Sequence, residues 1–354
     1  MPRDQLTILH LSDVQFGPRH RFGRASSVGV AAQRRTLFQS LQRDVAILTR
    51  VAGLTPDVIA LTSDLAESGK TDQFEEAGDF LQRLSHALKV PRSRVLVVPG
   101  NHDLDRDSCE LYFSDCDSAN RDPAAPYYPK YVNYERFFRR FYQSERYSFS
   151  EEAYWSLYPI DSLNLVVAGF NSTVAESHRE GRFGYIGERQ LDWFENELAR
   201  YANAGWFRLG LVHHNAHFTS SSTEPSANDP STQPDVLRDY GVFEDRLQAS
   251  LNMLLHGHTH LRGIRWMTNR VPILSTGAAS VEAVSRPPEI PNQYQVIRVT
   301  RDDVTLYARQ YVPHLDRWVG DTSVTRDGTA WQLQAQVAFQ RVEATFGRRP
   351  ERSD

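Results

Sequence analysis

The first half of the chain alternates short apolar runs with segments in which apolar residues recur at helical spacing. The runs at residues 6–11, 58–61 and 95–98 predict buried strands. Apolar positions three or four residues apart predict helices over 37–51 and 74–88. This alternation is typical of parallel strands joined by right-handed crossovers.

The second half repeats the pattern less regularly. Further strands are predicted at residues 164–168, 208–212, 253–256 and 272–275, with a helix over 187–201. Two later segments, 294–299 and 304–309, alternate apolar and polar residues, which favours half-exposed antiparallel strands. The predicted fold class is α/β, with two stacked mixed sheets flanked by helices.

Three segments do not follow the alternation. Residues 104–131 and 215–240 are mostly polar, and we expect both to be long loops near the functional site. Residues 329–346 have a helical pattern and are followed by a short tail. We therefore expect one domain over residues 1–325, and a C-terminal helix and tail over 326–354.

Composition and charge exclude several classes of protein. The chain has 354 residues, of which 40% are hydrophobic, enough for a sizeable core. Its net charge of −4 gives no positive field to attract nucleic acid. No apolar run reaches the roughly 18 residues of a membrane span, and the N-terminus lacks the pattern of a signal peptide. The cysteines, Cys109 and Cys116, are expected to be free thiols in a reducing cytoplasm.

Polar residues of the kind that bind metals follow five of the apolar runs. They are Asp13, Gln15, Asp64, Asn101, His102, Asp103, His213, His214, His258 and His260. Alternate residues such as Asp13 and Gln15 leave a strand on the same side. The donors are carboxylate, amide and imidazole without thiolate, which suits two divalent ions such as manganese, iron(II) or zinc.

In order and spacing these motifs resemble those of the calcineurin-like metallophosphoesterases, whose pattern is DxH, GD, GNH(D/E), H and GHxH. Here they read Asp13-Val14-Gln15, Ser63-Asp64, Gly100-Asn101-His102-Asp103, His213 and Gly257-His258-Thr259-His260. The resemblance covers residues 6 to about 300. Each motif is weak alone, but five in the family's order, each after a strand-like run, form a specific signal.

The resemblance implies a four-layer αββα fold with a dinuclear site at the sheet ends. One ion would be held by Asp13, Gln15, Asp64 and His260, and the other by Asp64, Asn101, His213 and His258, with Asp64 bridging. Two cations about 3.5–4 Å apart would clamp a phosphoryl group and activate a hydroxide for in-line attack. His102 would stand outside both shells and donate to a phosphoryl or leaving oxygen, with Asp103 orienting its ring.

Four residues are expected to contact the substrate: Asn101, His102, Arg19 and His217. Arg19 begins a basic run, residues 19–24, which fits a phosphate or carboxylate group or, equally, a solvated loop. His217 is equally consistent with a substrate contact and with a solvated side chain. The tyrosines within residues 112–134 suit core packing better than stacking on a base.

Finer likenesses point to a subgroup. Residues 61–69, 97–104 and 187–193 look like the class III cyclic-nucleotide phosphodiesterases. Gln15 replaces the usual histidine of DxH, as in manganese-dependent ADP-ribose/CDP-alcohol diphosphatases. The alternative to Gln15 as a metal ligand is a side chain that points away from the site, with a water molecule in its place.

Two further departures from the family's motifs concern residues next to the expected ligands. Ser63 replaces the usual glycine before Asp64. No proline follows His213-His214-Asn215, so either histidine remains a possible ligand, with His213 favoured by its motif position.

The expected activity is hydrolysis of a phosphodiester bond in a small nucleotide-type substrate such as a cyclic nucleotide. The main alternative is a nucleoside-diphosphate-linked pyrophosphatase of the ADP-ribose type, which Gln15 favours. A nuclease is disfavoured because the chain has no basic stripe. A non-catalytic scaffold is the remaining alternative, disfavoured because Asp64, Asn101 and His102 are all present.

Overall fold

The structure is a computed structural model that describes most of the chain. The described residues are 5–23, 35–143, 146–179, 183–216, 236–301, 303–321, 323–326, 329–332 and 336–340. His217 and the rest of residues 217–235, most of the expected loop at 215–240, lie outside them. Within the described residues, no helix is long and apolar enough to cross a bilayer.

The first sheet is built from the predicted alternation of strands and helices. Its elements are β1 (Gln5–Leu11), α1 (Leu37–Ala52), β2 (Val58–Leu61), α2 (Thr71–Leu88) and β3 (Val95–Val97). β1 pairs with β2, and β2 with β3, in parallel. Every residue of β2 and β3 is buried, as expected of parallel strands covered on both faces.

The expected loop at residues 104–131 is wrong, because its first half is a helix. α3 (Arg106–Ser118) is followed by α4 (Val132–Tyr142). Asp105 caps α3, and Cys109, Phe113 and Cys116 form a buried face at i, i+4 and i+7 among mostly polar residues. The two cysteines are buried and free.

The second sheet contains the next six strands, of which two were not predicted. They are β4 (Ser156–Ile160), β5 (Leu165–Gly169), β6 (Phe207–Leu211), β7 (Met253–His256), β8 (Gly263–Met267) and β9 (Val271–Ser275). β5, β6, β7 and β9 run parallel, flanked by antiparallel β4 and β8. Helices α5 (Glu188–Asn203) and α6 (Tyr240–Leu247) lie in the connections between β5 and β7.

The chain then returns to the first sheet. β10 (Gln293–Thr300), β11 (Asp303–Val312) and β12 (Arg317–Gly320) extend that sheet from β1 as an antiparallel meander. The sheets approach each other closely where a Cβ on Gly169 would lie 3.1 Å from Cγ1 of Val98. The predicted arrangement of two mixed sheets flanked by helices is confirmed.

The helix predicted over residues 329–346 is wrong for the part that the structure describes. The chain forms β13 (Ser323–Arg326), β14 (Thr329–Gln332) and β15 (Gln336–Gln340) instead. β13 pairs with β8 and β15 with β11, so these segments use backbone groups that both sheets leave open at their edges. Residues 341–354 lie outside the described residues, and the division of the chain at residue 325 stays a prediction.

Candidate metal centre

The candidate ligands follow the C-terminal ends of β1, β2, β3, β6 and β7, which meet where the two sheets approach each other. Ligand-bearing loops of open α/β sheets occupy this edge, because parallel strands all end there. Two short backbone bonds join the first two loops: Asp13 N–H donates to Ser63 O at 2.7 Å, and Gln15 N–H donates to Asp64 O at 2.9 Å.

Three side chains form the centre of the cluster. Asp13, Asp64 and His213 are fully buried, and one ligand atom from each lies within 4.8 Å of the others. Nε2 of His213 is 3.4 Å from Oδ2 of Asp64 and 3.0 Å from Oδ1 of Asn101. Nδ1 of His258 is 3.1 Å from the same Nε2, so donors from both sheets converge on one point.

Gln15 and His260 contact the two carboxylates of the cluster. Nε2 of Gln15 lies 3.3 Å from Oδ2 of Asp64, and a half-turn of the amide would present its oxygen there instead. Nε2 of His260 lies 3.0 Å from Oδ1 of Asp13. The structure therefore places Gln15 toward the cluster rather than away from it.

Backbone carbonyls orient two of the histidines. Nδ1 of His213 donates to Thr62 O at 2.7 Å, and Nδ1 of His260 donates to Ser285 O at 2.9 Å. Both rings are thereby left with Nε2 facing a carboxylate, which is the arrangement that a metal-binding imidazole needs.

His214 points elsewhere. Its Nδ1 is 2.8 Å from Oγ of Ser172, and its buried Nε2 has no hydrogen-bond partner among the described residues. Burial, together with the neighbouring His258 and His213, lowers the pKa of His214 well below the usual value. Of the two histidines, His213 is the one that faces Asp64 and Asn101.

The electrostatics of the pocket favour a bound cation. Burial opposes the charge of Asp64, but His213 and His102 hold the pKa of its carboxyl well below the usual range. Burial also opposes a charged His213, but Asp64 and Asp13 raise its pKa to about 10. The buried carboxylates thus attract positive charge, and the donor set of carboxylates, amides and imidazoles fits divalent metal ions.

His102 lies beside this cluster and is only partly buried. Its backbone N–H donates to Oδ1 of Asp64 at 2.9 Å, and its Nδ1 donates to Glu67 O at 2.7 Å. The expected contact with Asp103 is wrong: that carboxylate accepts the backbone N–H groups of Ala66 and Gly100 at 2.9 Å each. Asp103 therefore joins the loops that follow β2 and β3. The His102 ring is oriented by Glu67, which sequence reasoning missed.

Arg19 lies at the exposed edge of the site, next to Glu67. Its Nε is 3.1 Å from Oε1 of Glu67, and its backbone N–H donates to Oε2 at 2.8 Å. The residues missed from sequence, Thr62, Glu67 and Ser285, act through backbone carbonyls, which no side-chain motif marks.

Two glycines are required by close approach. A Cβ on Gly100 would lie 2.1 Å from Oδ1 of Asp64, and one on Gly257 would lie 1.8 Å from Oγ of Ser12. Both glycines therefore leave space for neighbouring side chains.

Comparison with known proteins identifies the family of the chain. The family model described as calcineurin-like phosphoesterase matches residues 6–262. No curated protein matches the chain.

Among solved structures, one titled PhoD is similar with a TM-score of 0.53 and 9% identity, covering 98% of this chain and 74% of that one. A dimetal phosphatase from Danio rerio has a TM-score of 0.48 and 14% identity, covering 89% of this chain and 98% of that one. At 9% identity the likeness to PhoD concerns the fold alone. Because the family model covers most of the chain, the protein belongs to the calcineurin-like phosphoesterases, which are metal-dependent hydrolases.

Proposed function

We propose that the protein is a phosphodiesterase that uses two divalent metal ions and acts on a small nucleotide-type substrate. The observation that carries this proposal is the position of Asp64. Its Oδ2 lies 3.3 Å from Nε2 of Gln15 and 3.4 Å from Nε2 of His213, so one residue of each expected metal shell contacts it. The backbone N–H of His102 donates to its Oδ1.

The residues fit two adjacent ions that share Asp64. One ion would be held by Asp13, Gln15, Asp64 and His260, and the other by Asp64, Asn101, His213 and His258. When bound, the ions would supply Lewis-acid activation of the phosphoryl group and of a water molecule. The oxygen and nitrogen donors favour manganese or iron, with zinc as a further choice.

His102 would supply the proton for the leaving oxygen. Its Nδ1–H is engaged by Glu67 O, so the proton that it donates would be the one that the doubly protonated ring carries on Nε2. Asn101 lies next to it and would contact the phosphoryl group as well as a metal.

The substrate class rests on charge and on local sequence. The net charge of −4 is unsuited to a nucleic-acid strand. Residues 61–69 and 97–104 resemble cyclic-nucleotide phosphodiesterases, which favours a cyclic phosphodiester. Gln15 favours a second candidate, a pyrophosphatase acting on an ADP-ribose-type substrate.

The test is hydrolysis of bis-p-nitrophenyl phosphate by metal-free protein reloaded separately with manganese, zinc, iron(II) and magnesium. p-Nitrophenyl phosphate is assayed in parallel. We expect faster turnover of the diester, with manganese or iron, and then activity on a cyclic nucleotide in preference to ADP-ribose. Faster hydrolysis of ADP-ribose would favour the pyrophosphatase, and no turnover in folded protein that binds no ions would favour a scaffold.

A further inference from the structure

The loops that follow β1 and β2 remain joined beyond the ends of the two strands. The bonds from Asp13 and Gln15 are followed by Phe16 N–H to Leu65 O at 2.8 Å and by Glu67 N–H to Phe16 O at 3.0 Å. This seam continues the parallel pairing into the site, and it ends at Glu67.

The Glu67 side chain forms the last contact of the seam. It is only 12% exposed, and both of its oxygens face Arg19: Oε2 accepts the backbone N–H at 2.8 Å, and Oε1 is 3.1 Å from Nε. Gly17 lies so close that a Cβ there would be 2.5 Å from Cβ of Glu67. The chain therefore folds over the carboxylate and encloses it.

The same residue orients His102 from the other side. The carbonyl of Glu67 accepts the Nδ1–H of His102 at 2.7 Å. We propose that the Arg19–Glu67 ion pair is a positioning element, which holds this carbonyl in place and so keeps Nε2 of His102 directed at the substrate. This inference rests on the proposed function, in which His102 donates a proton, and it gives Arg19 a role other than binding substrate.

An exposed ion pair commonly contributes little, and the Arg19 side chain is 64% exposed. This pair differs because one residue contacts both carboxylate oxygens, from its backbone and from its side chain. Its effect is expected in the placement of a catalytic group, since small displacements of such groups cost rate.

The test is a double-mutant cycle with Arg19→Ala and Glu67→Ala, assayed with bis-p-nitrophenyl phosphate. Each variant is expected to lower kcat by about tenfold, a fraction of what general acid catalysis contributes, with KM changed by less than about twofold. The double variant should be no slower than Glu67→Ala alone, because the two residues act as one unit. Arg19→Lys should recover part of kcat, since lysine retains the charge.

Arg200→Ala is the matched control, because it removes an arginine from an exposed ion pair on α5 and should leave kcat unchanged. A raised KM with normal kcat in Arg19→Ala would instead show that Arg19 binds substrate. Effects that multiply in the double variant, or normal kcat in both single variants, would also overturn the proposal.

A second readout does not depend on turnover. The ¹⁵N shifts of the His102 ring, recorded in zinc-loaded protein, report which ring nitrogen carries the proton. Wild type should show Nδ1–H, with the signal assigned by its loss in His102→Gln, and Glu67→Ala should show a mixture of tautomers.

Unchanged His102 shifts in both Arg19→Ala and Glu67→Ala would refute the positioning role. If wild type fails to hydrolyse the diester, the proposed function fails, and the shifts alone then decide the positioning role.

Discussion

Six residues of the candidate metal centre have positive φ although none is glycine: Asp13 (52°), Gln15 (39°), Ser63 (22°), Asp64 (52°), His258 (66°) and His260 (53°). L-residues in this region are strained, and such strain persists where surrounding contacts hold it. For Asp13, Gln15, Ser63 and Asp64 these contacts include the backbone bonds between the loops after β1 and β2. The backbone N–H of His258 donates to Oδ2 of Asp13 at 3.2 Å.

Ser63 is the member of this group whose side chain has no evident task. Its Oγ is buried without a hydrogen-bond partner among the described residues. We expect Ser63→Gly to raise the free energy of unfolding by about 1 kcal/mol, because relief of strain and of the unpaired hydroxyl exceeds the entropy cost of glycine. Urea unfolding of the metal-free protein measures this.

The neighbouring control is Ser12→Gly, which removes the bond from Oγ to Thr62 O and should destabilise the protein. A Ser63→Gly protein less stable than wild type would show that the strained turn needs the serine.

Asp64 and His102 should separate metal binding from catalysis. Asp64→Ala is expected to lose both ions and all activity, because both ions would share its carboxylate. His102→Ala should keep both ions and lose about 10²–10⁴-fold in turnover. Elemental analysis of the metal content, together with diester hydrolysis, tests both. Two retained ions in Asp64→Ala would show that Asp64 does not bridge, and normal turnover in His102→Ala would refute its role.

Among the helices, α3 is held at its N-terminus by contacts of its capping residue, Asp105. Oδ1 of Asp105 accepts the N–H groups of Asp107 and Ser108 and also binds Nζ of Lys70 at 2.8 Å. Oδ2 accepts from Asn133 at the start of α4. One carboxylate thus caps α3 and joins it to α2 and α4.

Asp105 predicts a pH dependence of stability. Burial favours its neutral form, but the bonds from Lys70 and Ser108 outweigh this and lower the pKa of its carboxyl. A lowered folded-state pKa gives stability that is present above the ordinary value of 3.8 and is lost as the pH falls below it. Asp105→Asn keeps a good capping residue but lacks the charge.

We expect the stability difference between wild type and Asp105→Asn to shrink below pH 3.8, whereas Asp105→Ala should also lose about 1 kcal/mol from the missing cap. Denaturant unfolding across this range is the measurement. A difference that does not change with pH would mean that the ion pair with Lys70 contributes nothing.

At the scale of the whole molecule, the site exists because the two sheets meet at their C-terminal edges. Gly257, after β7 of the second sheet, lies against Ser12 and Asp13, which follow β1 of the first. A side chain there would separate the sheets at the cluster. Gly78, within α2, has free space instead, since its Cβ would lie 3.8 Å from the Phe137 ring.

Gly257→Ala is therefore expected to lower the free energy of unfolding by about 1–3 kcal/mol and to reduce the metal content. Gly78→Ala should keep the metal content and gain about 0.5–1 kcal/mol, because alanine is the better helix residue. Denaturant unfolding and elemental analysis of both variants provide the test. Full metal content in Gly257→Ala would contradict the close approach of the sheets.

Local periodicity was enough to predict most of the central strands and helices. β2 and β7 have the predicted bounds, and the bounds of α1 differ by one residue from the helical pattern. α3 was missed because only Cys109, Phe113 and Cys116 mark its buried face. The C-terminal strands were missed because their partners, β8 and β11, lie in two different sheets.

Strand period and motif order are properties of neighbouring residues, so they were enough to predict which side chains follow the strands. Which of those side chains face one another, and which partners they contact, depends on the packing of the sheets. The preference for His213 over His214, the bracing role of Asp103 and the bond from His102 to the Glu67 carbonyl, 35 residues away, all depend on how loops from separate strands pack. Backbone carbonyls are chemically identical along the chain, so only the packed structure selects the one that orients a catalytic ring.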